Sequence, residues 1–180
     1  MAGRAGHQGG PARRRGRELN PLDQDADLTR LGSELCDSVI GAVPGWIERA
    51  VEGRFADWIR SGGDADPDLK RDIPGLAQIA GRQAAVEVSG PLRAMLRCDI
   101  DEQRTTPLAL VRPLVAFATE VLRRAGVPPV VRDEFQIRRF PDDVYGLTPA
   151  SLAVLDDRVG DLAITWGAAK AMAHRRRHQG

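Results

Sequence analysis

Apolar residues in this chain recur at steps of three and four, in runs cut off by prolines and glycines. Leu28, Leu31, Leu35, Val39 and Val43 form one such stripe, and Ile47, Ala50, Val51, Phe55, Trp58 and Ile59 extend it. A step of 3.6 residues places such side chains on one face of a helix. No segment alternates apolar and polar residues well enough to require a sheet. The pattern predicts an all-α fold of about five or six helices in one bundle-like domain. Only 4% of residues are aromatic, so the core must be built from Leu, Val, Ile and Ala, which suits closely packed helices. A length of 180 residues suffices for one domain with a sizeable core.

The punctuation sets the expected boundaries. Asp25 or Asp27 would cap the first helix, Pro44 would kink or restart it, and Gly62-Gly63 would stop it. Asp66-Pro67 opens the next segment in cap-then-proline order. Leu76, Ile79, Ala80, Gln83, Val86, Leu92 and Leu96 follow as its stripe, with Gly81, Ala84 and Ala85 allowing a close neighbour. Ile73-Pro74 and Ser89-Gly90-Pro91 would restart or bend it. Thr106-Pro107 opens a helix through Leu110, Leu114, Phe117 and Val121 to Arg123, Arg124 and the stop at Gly126. Residues 127–149 read as a long irregular loop, with short extended pieces at Val130-Val131 and Phe135–Arg139. Such a length without structure is uncommon in a compact domain and is often functional. A short helix after Thr148-Pro149 and a last helix from about Gly160 to His174 complete the reading. Leu162, Ile164, Trp166, Ala169 and Met172 are its expected packing positions.

Charge is laid out unevenly. The whole chain is +1. Five arginines in residues 1–17 and four basic side chains in residues 170–180, with no acid in either stretch, leave the intervening body at −8. Residues 1–22 are Gly-, Arg- and Pro-rich without periodicity and read as a disordered basic arm. Residues 23–173 read as one helical domain, and residues 174–180 as a basic tail. Cys36 and Cys98 have no metal-type spacing and form no disulfide framework, so two reduced thiols are expected. No apolar run approaches the roughly 20 residues that span a bilayer, and no secretory leader opens the chain. The expectation is a cytoplasmic protein without a membrane partner.

The phrases Ala125-Gly-Val-Pro-Pro, Val131-Arg-Asp-Glu-Phe135, Phe140-Pro-Asp-Asp-Val-Tyr-Gly-Leu-Thr-Pro149 and Trp166-Gly-Ala-Ala-Lys170-Ala cover roughly the last third of the chain. This part resembles the C-terminal region of a family of small actinobacterial proteins. The resemblance implies a lineage and no particular activity. It fits a composition in which arginine almost replaces lysine, Lys70 and Lys170 being the only lysines.

The long loop gathers Arg132, Asp133, Glu134, Asp142, Asp143 and Tyr145. Clustered carboxylates can hold a hard cation or meet a basic partner. Equally, Arg132 and the acids can pin the loop, with Tyr145 burying its ring and bonding through its hydroxyl. The pinning reading is preferred. Trp166 and Lys170, one helical turn apart, would face the same side, pairing with a loop acid or holding a small anion. His174 and His178 have i, i+4 spacing, but three arginines intervene and no third ligand is evident, so no metal is expected. Arg13, Arg14, Arg15, Arg175, Arg176 and Arg177 are candidate nucleic-acid contacts, although no zinc finger, RRM signature or basic zipper accompanies them. No nucleophile elbow, phosphate loop or dinucleotide fingerprint is present, so no cofactor is expected and an enzyme is the less favoured class. The preferred reading is a non-enzymatic helical interaction or regulatory module that binds another protein, with a second copy of itself as one candidate. The alternative is nucleic-acid association through the Arg-rich ends.

Overall fold

A computed structural model describes residues 21–98 and 102–179, with side chains from residue 26 onward. Most of the expected basic arm, with Arg13, Arg14 and Arg15, lies outside the described residues.

The fold is all-α, with no strand among the described residues. Two long helices dominate: α1 (Pro21–Arg60) and α2 (Pro67–Arg97). Gly32 lies against Leu96, Asp37 pairs with Arg93 at 2.9 Å, and Pro44 meets Gly81. As one number rises the other falls, so the two helices form an antiparallel hairpin. Short α3 (Pro107–Val111) leads through a 3-10 turn (Arg112–Leu114) into α4 (Val115–Arg124), which packs against both. After α5 (Glu134–Arg139) and a 3-10 turn (Leu152–Val154), α6 (Asp157–Gln179) returns along α1.

The caps follow the sequence. Asp66 Oδ1 accepts from Asp68 N at 2.8 Å, and Pro67 takes the first helical position, where a missing N–H costs nothing. Thr106 Oγ1 accepts from Ala109 N at 3.3 Å ahead of Pro107. Gly62 ends α1 with φ +93°, a conformation open to glycine and costly to other residues.

Several internal breaks do not occur. α1 runs without interruption past Pro44, and α2 past Pro74 and Pro91. A proline removes one ladder bond, but tertiary packing along the whole helix outweighs that local loss. α1 is already helical at Pro21, so Asp25 and Asp27 lie within it and do not cap it. Pro113 does interrupt its segment, at the 3-10 turn. Phe135–Arg139 is part of helix α5 and not an extended piece. The last helix begins at Asp157 and continues to Gln179, so the basic residues 175–177 sit on helix rather than on a tail.

One hydrophobic core joins α1, α2, α4 and α6. α1 contributes Leu35, Val39, Val43, Ile47 and Val51, all fully buried. α2 buries a different face from the one its larger residues suggest. Ala77, Ala80, Gly81, Ala84 and Val88 are inside, whereas Ile79, Gln83 and Val86 are exposed. The reason is the crossing with α1. A Cβ added at Gly81 would lie 2.8 Å from the Pro44 Cα and carbonyl oxygen. At that separation only the smallest side chains fit, and they bury the backbones against each other. α6 departs from expectation only in part: Trp166 is buried as expected and Leu162 and Ala169 are half-buried, but Ile164 and Met172 are exposed, and Val159 and Gly160 are buried instead.

Candidate functional site

The expected loop is an ordered strap built around polar anchors. Asp133 Oδ1 accepts from Gln136 N at 2.7 Å and caps α5. Glu134 lies in the first turn and Arg138 and Arg139 in the last, each suiting the helix dipole. Arg132 closes the segment from outside, donating from Nη1 to the Phe140 carbonyl at 2.7 Å and from Nη2 to the Pro141 carbonyl at 3.3 Å. Val130 N donates to the Val144 carbonyl at 3.1 Å, tying the two ends together.

Asp143 is the inner anchor, only 4% exposed. Its Oδ1 accepts from Leu147 N at 2.8 Å, and its Oδ2 accepts from both Thr148 N and Thr148 Oγ1 at 2.6 Å. Three donors satisfy a carboxylate that burial would otherwise penalise heavily. The buried Tyr145 donates its hydroxyl to the Val127 carbonyl at 2.7 Å, and desolvation pushes its phenol above the ordinary value. Phe140 lies between two guanidinium groups, Arg112 at 5.4 Å and Arg139 at 5.5 Å from the ring centre. The Arg112 contact holds the strap against the turn before α4, while the Arg139 contact lies within the strap.

The product of this anchoring is an outward apolar display. α5 buries none of its residues. Val131 is fully exposed, Phe135 is 66% exposed and Ile137 48%. Glu134 and Asp142 are exposed. Among the described residues, no group of three His, Cys, Asp or Glu side chains is placed to hold a metal. Asp133 and Asp143, considered above as cation ligands, act here as a helix cap and a turn anchor.

Trp166 and Lys170 lie elsewhere, in a cleft where α1, α2 and α6 converge. The cleft has a volume of about 320 Å³. None of the strap residues lines it. Trp166 and Lys170 are both buried, with Lys170 Nζ 4.7 Å from the indole centre. The ammonium donates to the Cys98 carbonyl at 3.2 Å and to Gln103 Oε1, not to an acid of the strap. Arg93 and Arg97 enter from α2, and His174 and Arg177 from α6. Cys36 also faces the cleft, and burial raises its thiol pKa against the opposing pull of Arg93. Both cysteines are free thiols. Arg175 and Arg176 are exposed on the final turns of α6, and the His174 and His178 rings meet edge-on at 4.3 Å.

Sequence reasoning misses Phe135 and Ile137, whose helix reads as an extended piece, and Val131, which precedes that helix. The Asp133-to-Gln136 cap spacing was the available signal. It also overlooked Arg93 and Arg97, whose i, i+4 spacing puts them on one face of α2.

No known family, no curated protein and no solved structure matches the chain. No helix among the described residues is long and apolar enough to cross a membrane.

Proposed function

We propose that the protein is a non-enzymatic, cytoplasmic interaction module that docks another protein through the strap. One observation carries this reading: the strap is ordered by buried polar anchors while Val131, Phe135 and Ile137 face water. Ordering a residue costs roughly 1–2 kcal/mol of backbone entropy, and burying large side chains is the usual compensation. Here the largest side chains of α5 are left outside, where a partner can cover them. The three fall within seven residues of chain, Phe135 and Ile137 on different sides of α5, and a partner that covers them takes this apolar surface out of water. Arg138 and Arg139 follow the apolar pair on α5, so the partner surface is an apolar groove with an acidic rim. The C-terminal resemblance to small actinobacterial proteins is consistent with this reading and adds no activity to it.

The test is a Phe135→Asp, Ile137→Asp double variant. It should keep the wild-type helical signal and melting temperature and lose the partner at both low and high salt. Recovery of the same protein by both forms contradicts the docking role of the strap.

A second reading, nucleic-acid association, draws on the three arginines Arg175, Arg176 and Arg177 of α6, which are displayed on regular helix. It requires binding that weakens steeply with salt and is lost when residues 1–17 and 174–180 are removed. Salt-independent binding, or unchanged affinity after truncation, rules it out.

A further inference from the structure

We propose that the outward face of α2 is a self-association surface, on which a second copy of this chain lays its own α2 antiparallel. The inference rests on α2 and is independent of the docking role of the strap.

The first observation is an apolar stripe turned to water. α2 gives its small residues to the core and leaves Val86 77% and Ile79 47% exposed. Seven residues separate them, about two helical turns, so they share one side. Ile79 also borders an apolar groove of about 370 Å³ where α2 meets α4, lined by Leu76, Phe117 and Val121. Gly75 and Gly90 extend the stripe in either direction, and a Cβ at either would meet nothing within 4 Å. A neighbouring helix can approach closely there.

The second observation is the order of charge along the same stripe. Asp68 and Asp72 stand on it at the start of α2, and Arg93 and Arg97 at its end, all four exposed. Reversing the helix about the point between Arg82 and Gln83 exchanges Ile79 with Val86 and Gly75 with Gly90. The same reversal exchanges Asp72 with Arg93 and Asp68 with Arg97. A twofold interface uses one patch on both copies and must be complementary to itself in this way. In an antiparallel pair, apolar side chains meet at the centre, glycines flank them, and acids face arginines at both ends. A parallel pair would set Asp against Asp and Arg against Arg, so charge selects the antiparallel direction.

These charges have partners within the chain. Asp68 and Asp72 lie 2.8 and 3.6 Å from Arg71, and Arg93 lies 2.9 Å from Asp37. Ion pairs between such exposed side chains contribute little, so exchanging them across an interface costs little. Arg82 opposes association, because it falls beside its own copy at the twofold axis.

The test is sedimentation equilibrium of the full chain. The mass should rise from monomer toward dimer with concentration, and the association should weaken as salt rises. Asp68→Arg with Asp72→Arg makes the stripe wholly basic, and Arg93→Asp with Arg97→Asp makes it wholly acidic. Each variant alone should dimerise at least about tenfold more weakly than wild type, the scale of losing close charge pairs and gaining like ones. An equimolar mixture of the two should restore dimer, since every acid then faces an arginine again. Val86→Asp, at a position that packs against nothing in the core, should weaken the dimer to a similar degree and leave the helical signal unchanged. Arg82→Ala should tighten it. The Phe135→Asp, Ile137→Asp chain should dimerise like wild type, which separates this face from the strap. A wild-type chain that stays monomeric at about 1 mM overturns the proposal. So does undiminished dimer in Val86→Asp, a mixture of folded charge variants that remains monomeric, or loss of dimer through the strap variant instead.

Discussion

The strap and the α1–α2 hairpin reach order by opposite means. The hairpin removes small apolar side chains from water along two helices of 40 and 31 residues. Its stability is spread over many contacts, and its polar groups are mostly external. The strap buries Asp143 and Tyr145 and turns Val131, Phe135 and Ile137 outward. Its order rests on a handful of hydrogen bonds and on Val127 and Tyr145 reaching the core, around a six-residue helix that an isolated peptide would not sustain. Close packing makes the hairpin a rigid support. Polar anchoring makes the strap a surface that keeps its shape without hiding its apolar residues.

The contrast breaks most severely at the helix crossing. Gly81→Val must push α2 away from the Pro44 backbone, 2.8 Å from the new Cβ. Overpacking of this kind should cost about 3 kcal/mol, read as a lower urea midpoint with unchanged m-value. A wild-type midpoint would mean that the two helices do not approach this closely.

Removing the inner anchor comes next. Asp143→Ala leaves the donors of Leu147 and Thr148 without their acceptor. A cost of about 2 kcal/mol is expected, with faster amide exchange confined to the strap. Exchange rising equally in α1 and α2 would show that the strap is part of the core and not a separate unit.

Tyr145→Phe removes one buried hydrogen bond and should cost about 1 kcal/mol. It should also alter the alkaline limb of stability. Burial raises the Tyr145 pKa, so the folded state keeps its phenolic proton more firmly than the unfolded chain. That contribution is complete below the unfolded value of about 10 and is lost as pH rises through the folded value. Urea midpoints should therefore fall less for the Phe variant than for wild type between about pH 9 and 11. Parallel curves would contradict a buried phenol.

The smallest expected effect compares the two thiols. The desolvated Cys36 should alkylate more slowly than the half-exposed Cys98 at neutral pH, as read by mass spectrometry of each peptide. Equal rates would place Cys36 closer to solvent than the core allows.

The helical class, the Asp66 and Thr106 caps and the stops at Gly62 and Gly126 were legible in the sequence, because each depends on neighbours a few residues away. The unbroken course of α1 and α2 was not. Proline has a local penalty, while the compensation comes from residues distant in sequence. The buried face of α2 was misread for a related reason. Periodicity weights Ile79 and Val86 by hydrophobicity, but the short distance to Pro44 selects Ala and Gly. At the strap, the residue types were legible and their grouping was not. Asp133, Asp143 and Arg132 each meet backbone groups of nearby residues, whereas Lys170 and Trp166 meet α2 and α1 through a turn of chain that joins only in three dimensions.

The most direct test of the docking role is site-specific photo-crosslinking in the cells that make the protein. A benzophenone side chain placed at residue 135 should capture one protein, at low and high salt, and the Ile137→Asp change should abolish that capture. The same group at Ala168, exposed on α6, should capture none of it. Capture of the same species from both positions, or none from residue 135, would contradict the strap as a docking surface.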